Sequence, residues 1–293
     1  MTTSHASQTV TATLPVRAPE FVCAEVWGGN RPVDTPLKLP GIRGKVYSHP
    51  CHGGRGGDIH YVSICNSGLT SRLCLADVVG HGEAVAQVSS EIHALLRRYM
   101  NNHDETRVLA DLNKRLIGRD LRSMTTAASV SYLPPMRLLA VSYAGHPPGW
   151  LYRKADDAWS RLEVHAAAHH DHEPLDLPLA IDPDSAYSRR RLRVRAGDRV
   201  LLVTDGVLEA PSPAGGLYGD KRLTLLLEQH RGATIEELVD RIVADVVAFT
   251  RDPGLSHDDV TLLGIEFTPG PKAFGIWTLL KNQLLGPQAQ RRR

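Results

Sequence analysis

Four aspartates, far apart in the chain, share one kind of local setting. Asp77 ends the strand-like apolar run Leu73-Cys74-Leu75-Ala76, and two more apolar residues and the turn Gly80-His81-Gly82 follow it. Asp205 ends the apolar run beginning at Arg199, Asp58 comes after four glycines in the six preceding residues, and Asp258 introduces a last apolar run. A strand holds such a carboxylate rigidly, and neighbouring glycines let backbone carbonyls or a substrate come close. Hard, oxygen-only donors suit magnesium or manganese and do not suit zinc or copper. Converging carboxylates repel one another unless cations lie between them. Two such cations can bridge a water, lower its pKa and clamp a phosphoryl oxygen, with no Ser or Cys nucleophile needed. One Asp beside a Gly has an ordinary explanation as a turn residue. Four in matching contexts are expected to form one site.

The elements that must position them are legible from periodicity. Ile59 to Asn66 and Ser71 to Val79 read as a hairpin turning at Asn66-Ser67-Gly68. Apolar residues at Val85, Val88, Ile92, Leu95, Leu96 and Tyr99 predict a helix of about five turns. A second helix is expected from Thr106 to Ile117. Strands are expected over Thr125 to Tyr132, Leu138 to Ala144, Trp150 to Tyr152, Arg191 to Val194, Arg199 to Thr204 and Asp259 to Phe267, and helices over Asp220 to Gln229 and Ile235 to Phe249. Gly28-Gly29-Asn30 reads as a turn. Arg31 to Lys45, with three prolines and two glycines, reads as loop. Ala166 to Pro183, polar and rich in His and Pro, reads as an exposed flap. Strands in runs and helices in pairs argue for an α+β sandwich over a doubly wound sheet. The expected division is a disordered leader (1–19), one domain (20–268) and a C-terminal extension with a basic tail (269–293).

Composition excludes several classes. The chain has 293 residues, 42% hydrophobic and 23% charged, as in ordinary globular proteins. A net charge of +2 gives no argument for nucleic acid. The four cysteines, Cys23, Cys51, Cys65 and Cys74, form no CxxC pair, which points to free thiols in a reducing cytoplasm. The first residues lack the apolar core of a signal peptide, and no apolar run is long enough to span a membrane. Phe274 to Leu285 is apolar, but its residues spread too widely around a helix for an interfacial face, so membrane contact is not expected.

Gly56-Gly57-Asp58, Ala76-Asp77-Val78-Val79-Gly80-His81-Gly82, Tyr143-Ala144-Gly145-His146-Pro147-Pro148, Thr204-Asp205-Gly206-Val207-Leu208-Glu209-Ala210 and Asp258-Asp259-Val260-Thr261 occur in this order. Together they resemble the PPM-type metal-dependent serine/threonine phosphatases, in the bacterial branch named for the sporulation stage II E phosphatase. The resemblance implies a four-layer α-β-β-α sandwich with two central antiparallel sheets and two Mn2+ or Mg2+ ions at one end. It implies Asp58, Asp77, Asp205 and Asp258 as metal ligands, with the backbone carbonyl of Val78. It also implies attack of a metal-bridging water on a phosphoserine or phosphothreonine of a bacterial signalling protein, an anti-sigma-factor antagonist by analogy with the branch. Members often carry N-terminal sensor domains. Here control is expected instead from a regulatory partner, from metal supply, or from the helices after Gly82.

One departure bears on activity. Members often continue Gly-Gly-Asp with two aromatic residues and a second acid, where this chain has Ile59, His60 and Tyr61. The alternative is therefore a catalytically silent phosphoprotein-binding module of the same fold. His81 has two readings, general acid for the leaving alkoxide or turn residue ordering its loop. His146 reads as structural. Glu209 reads either as the holder of a metal-bound water or as solvated, and Arg55 as a substrate-phosphate contact or as solvated. His169, His170 and His172 fit no metal-ligand spacing and read as solvated loop. Ile59-His60 does not continue the diguanylate cyclase signature that Gly-Gly-Asp also suggests.

Overall fold

The computed structural model describes residues 26–64, 70–80, 83–98, 104–117, 124–164 and 175–269. Among these residues twelve strands and five α-helices follow one another as β1 (Val26–Gly29), β2 (Val33–Leu39), β3 (Ile42–His49), β4 (Ile59–Ile64), β5 (Ser71–Val78), α1 (Glu83–Arg98), α2 (Glu105–Leu116), β6 (Thr125–Leu133), β7 (Leu138–Ala144), β8 (Gly149–Arg153), β9 (Ala158–Leu162), β10 (Arg190–Arg193), β11 (Arg199–Val203), α3 (Asp205–Leu208), α4 (Gly219–Gln229), α5 (Ile235–Thr250) and β12 (Val260–Phe267). The strands form two antiparallel sheets of six, ordered β1-β4-β5-β6-β7-β10 and β2-β3-β12-β11-β8-β9.

Three apolar layers hold the sandwich together. Leu73, Val130 and Val141 of the first sheet meet Val46, Leu202 and Leu263 of the second between the sheets. Ile92, Leu109 and Leu112 of α1 and α2 cover Ile59, Cys74 and Ala76 on one outer face. Leu223, Leu238 and Val239 of α4 and α5 cover Leu201, Val203 and Leu262 on the other. Covered on both faces, β4 is buried at every position, its polar His60 and Ser63 included. The expected α-β-β-α order is what the chain adopts.

Several boundaries differ from expectation for local reasons. Residues 31–45 are not loop: β2 and β3 form a hairpin closed at Pro40-Gly41, with Gly41 at φ 72°. Pro36 is tolerated because β2 is an edge strand, where a missing N–H costs little. Gly44 in β3 is required by close approach, since a Cβ there would lie 2.1 Å from the Gly264 carbonyl oxygen. Gly28 and Gly29 belong to β1, paired with Tyr61 and His60, and do not form a turn. The β9 strand was not expected, its run being broken by the exposed Ala158 and Ser160. The described part of the expected flap is tied down: Leu179 is buried and exchanges backbone hydrogen bonds with Thr125. The turn at residues 66–68, the histidines at 169–172, Phe274 to Leu285, the leader and the basic tail lie outside the described residues.

Among the described residues, no helix is long and apolar enough to cross a membrane. Cys51 and Cys74 are free, and burial is the main force pushing each thiol up to about 12. Cys23 and Cys65 lie outside the described residues.

Candidate metal centre

Antiparallel pairing brings the aspartates together two by two. Ile59 pairs with Ala76, so Asp58, entering β4, and Asp77, leaving β5, lie at the same end of one hairpin. Across the sandwich Val203 pairs with Leu262 and the Thr204 N–H donates to the Thr261 carbonyl. Asp205, just after β11, and Asp258, just before β12, are thereby brought to the same end of the second sheet. The two ends are joined directly: the Thr204 hydroxyl donates to Asp58 Oδ2 at 2.8 Å and accepts the Thr261 N–H at 3.0 Å. Thr261 in turn shares a 2.9 Å hydroxyl contact with Ser48.

The electrostatics grade from floor to rim. Asp58 is only 3% exposed, and its carboxyl is held well above the ordinary range, first by burial and then by Asp77. The Thr261 and Thr204 hydroxyls pull the other way. Asp77 is pushed up to about 8 by burial and then by Asp205, Asp258, Asp259 and Glu209. Asp205, half-buried, is raised to about 6 by burial and then by Asp258 and Glu209. Asp258, on the exposed rim, is raised mainly by burial of its carboxyl. Six carboxylates, those of Asp58, Asp77, Asp205, Glu209, Asp258 and Asp259, are thus linked through one another's fields, with His257 drawing Asp258 the other way.

Among the described residues, no three His, Cys, Asp or Glu side chains already converge closely enough to ligate one ion. Mutual repulsion opposes such convergence, and a divalent cation removes it. The donor set fits that group on two counts. It is all oxygen, and Asp58 Oδ1 is buried without a hydrogen-bond partner, a state that costs free energy unless something binds it.

Asp259, which sequence reading passed over in favour of its neighbour, organises the site. It is 5% exposed. Its Oδ1 accepts the Cys51 N–H at 2.8 Å, and its Oδ2 accepts the N–H groups of Gly57 and, at 3.3 Å, Asp58. Its own N–H donates to Asp258 Oδ1 at 2.8 Å. Two motif glycines are explained by its presence. A Cβ at Gly56 would lie 2.3 Å from Asp259 Oδ2, and one at Gly206 would lie 2.0 Å from the Asp259 carbonyl oxygen. Gly206→Ala must therefore shift backbone between Asp205 and Asp258. The expected result is about tenfold weaker manganese binding by calorimetry, with the fold retained by circular dichroism. Unchanged affinity would show that the close packing does not matter. The adjacent Asp-Asp dipeptide was the available signal for Asp259; nothing in the sequence marks Thr204 or Ser48.

The other expected residues divide as follows. Val78 is buried, and its carbonyl faces the glycine loop, 2.8 Å from where a Gly57 Cβ would stand. Glu209 is exposed beside the cluster. His146 is buried, stacks on Tyr143 and has Nδ1 2.8 Å from its own neighbour's carbonyl, Pro147 O, so it serves packing. His81 lies outside the described residues. Tyr61 points away from the carboxylates into the core under α1, edge-on to His93. The start of α1 braces the loop: Ser89 donates to the Gly57 carbonyl at 2.9 Å, and Asn30 Nδ2 lies 3.1 Å from the carbonyl oxygens of both Gly56 and Ala86.

An α-β-β-α sandwich with carboxylates gathered where strand ends of both sheets meet is the arrangement of the PPM class of proteins. The chain belongs to the SpoIIE family, whose model, described as stage II sporulation protein E, matches residues 67–268. That span begins after Asp58, so the glycine loop lies outside it. A curated relative, phosphoserine phosphatase RsbU of Bacillus subtilis (strain 168), is 28% identical over 197 residues, 65% of this chain and 54% of the relative. The chain thus spans about half the length of that protein. Among solved structures, the RsbU and RsbW domains of Rv1364c from Mycobacterium tuberculosis superpose with TM-score 0.62 at 23% identity, covering 82% of this chain and 64% of that one. RsbX in complex with magnesium gives TM-score 0.58 at 15% identity, covering 80% and 100%. At these identities the structural likeness speaks for the fold alone.

Proposed function

We propose that this chain is a metal-dependent phosphoprotein phosphatase that hydrolyses phosphoserine or phosphothreonine on a bacterial signalling protein. The observation that carries the reading is Asp58: a carboxylate locked in place by Thr204, facing Asp77, with its second oxygen buried and unpartnered. Asp58, Asp77, Asp205 and Asp258, with the Val78 carbonyl, would hold two Mn2+ or Mg2+ ions. Bound there, such cations supply positive charge against phosphoryl oxygens and acidify water.

The residues of the chain do the rest by position. Thr204 keeps the Asp58 carboxylate pointing across the sandwich, so it does not have to be ordered when substrate arrives. Asp205 and Asp258 stand on the more open side, which leaves room for a phosphorylated side chain to enter. His81, in the general-acid reading of its motif, would give the leaving serine alkoxide its proton. The resemblance to RsbU supports phosphoserine as the substrate class, and an anti-sigma-factor antagonist is the protein of that kind the family resemblance suggests. A cytoplasmic location follows from such a substrate. The silent binding module loses its main support, because Tyr61 stands in the core away from the carboxylates and its identity leaves them intact.

The test is phosphate release from a phosphoserine peptide with manganese, with magnesium and with chelator, for wild type and Asp205→Asn. Manganese-dependent turnover is expected, falling at least about 100-fold in the variant. A folded wild type that binds manganese and releases no phosphate from any phosphoprotein would sink the phosphatase reading.

A further inference from the structure

We propose that the cleft formed by Trp27 and Arg31, at the end of β1 and after it, with Arg55 and His60 is a specificity site. It would take an acidic side chain of the phosphoprotein substrate, two or three residues from the phosphorylated serine. The inference rests on the phosphatase reading above and extends it to substrate choice. The cleft has a volume of about 260 Å³ and is lined by Trp27, Arg31, Arg55, His60 and Ser90, among others, a space that fits one or two side chains and not a cofactor.

Its chemistry is that of an anion acceptor. Arg31 and Arg55 are both exposed at its edges, and among the described residues neither has an ion-pair, hydrogen-bond or ring partner. Most arginines of the second sheet, by contrast, are engaged: Arg43 and Arg199 with Glu266, and Arg153 with Asp198. At the cleft wall, His60 is only 4% exposed and packs against the Trp27 ring, with Nδ1 buried and lacking a hydrogen-bond partner. Two guanidinium groups lining one cleft with the Trp27 ring, neither paired among the described residues, suit a carboxylate on a short aliphatic stem.

The distance to the metal centre sets the register. The cleft wall is continuous with the glycine loop, because the Asn30 carbonyl accepts the Gly56 N–H at 2.9 Å and the Asn30 side chain donates back to the Gly56 carbonyl. Arg55 precedes Asp58 by three residues, so their Cα atoms stand at most about 11 Å apart. An extended peptide advances about 3.3 Å per residue, so the second or third neighbour of a phosphoserine held at the carboxylate centre has the reach to meet the cleft. The scissile phosphate itself goes to the carboxylate centre; the arginines take the flanking acid.

The experiment compares two fluorescent phosphoserine peptides, one with Glu and one with Ala at the second and third positions on either side. Binding is read by anisotropy with manganese present, on versions of the two peptides whose phosphoserine is replaced by a non-hydrolysable phosphonate, so that turnover is off. Wild type is expected to bind the Glu peptide about fivefold more tightly, with the difference shrinking as salt is raised. In Arg31→Ala/Arg55→Ala the two affinities should come within about twofold. Arg31→Lys/Arg55→Lys should recover part of the preference, because charge is kept and the fork is lost. Equal binding of both peptides by wild type, or a preference that survives in the double alanine variant, would overturn the site. Following phosphate release from the hydrolysable Ala peptide with manganese then tests the phosphatase reading separately.

Discussion

Asp58→Asn is expected to abolish turnover and, in the absence of metal, to make the protein more stable near pH 8. The first effect follows from removing the most deeply placed oxygen donor, and a loss of at least about 100-fold is expected. The second follows from the sign of the carboxylate shifts. Asp58 and Asp77 are both raised, Asp77 to about 8, chiefly by burial and then by their acidic neighbours. A group whose folded value is raised contributes its full stability below the unfolded value of about 4 and loses it as pH climbs through the folded value. Metal-free wild type should therefore lose stability between about pH 4 and pH 8, the window set by Asp77.

Asparagine has no proton to lose, and its carbonyl can still accept from Thr204. Its melting temperature in chelator near pH 8 should exceed that of wild type by about 5 °C, with the two curves meeting towards pH 4. Manganese should reverse the order, raising wild type more at the alkaline end than at the acid end, since binding displaces protons. Calorimetry across pH, with and without manganese, reads all of this. A variant that melts below wild type in chelator near pH 8 would show that Asp58 stabilises the empty site, contrary to the repulsion deduced here.

How much of this was legible in the sequence depends on what each element must satisfy. Helices α2, α4 and α5 and strands β5 to β7 were read to within a residue or two at most ends, because their apolar periods agree with the faces they bury. The β2–β3 hairpin was hidden by its own chemistry. Pro36 signals loop in isolation, and only an edge position makes it compatible with a strand. The aspartate pairing was half legible. Strand ends marked Asp77 and Asp205, but that Asp58 meets Thr204 is a contact between two sheets, separated by 146 residues, and no local pattern encodes it. The missing acid at Tyr61 keeps a silent binding module open as an alternative, because sequence alone does not give the direction of that side chain. Alternation in β4 sends Tyr61 with Ile59 to the helix side, away from the carboxylates.

Asp259→Ala is expected to be among the most destabilising single changes in the site, although Asp259 is not placed among the metal ligands. Its carboxylate is the acceptor for the backbone N–H groups of Cys51, Gly57 and Asp58. Alanine leaves buried donors of the glycine loop unsatisfied, at about 1–3 kcal/mol each. Water can enter from the Cys51 side, which is half-buried, so the sum falls short of full additivity and about 4 kcal/mol is expected. For a chain of this size that lowers the melting temperature by roughly 10 °C. Manganese affinity should fall a further 10- to 100-fold, about the cost of losing a group that orients a ligand, because Asp58 loses the clamp on its own backbone. Asp259→Asn provides the control. Its single carbonyl oxygen can keep one of the two acceptor positions, and its amide must face an N–H at the other, so it should lie between wild type and alanine in both readouts. Amide exchange at Gly57 and Asp58 should quicken in the same order. If Asp259→Ala melts within about 2 °C of wild type and binds manganese as tightly, the glycine loop is held by α1 through Ser89 and Asn30, and Asp259 is only its neighbour.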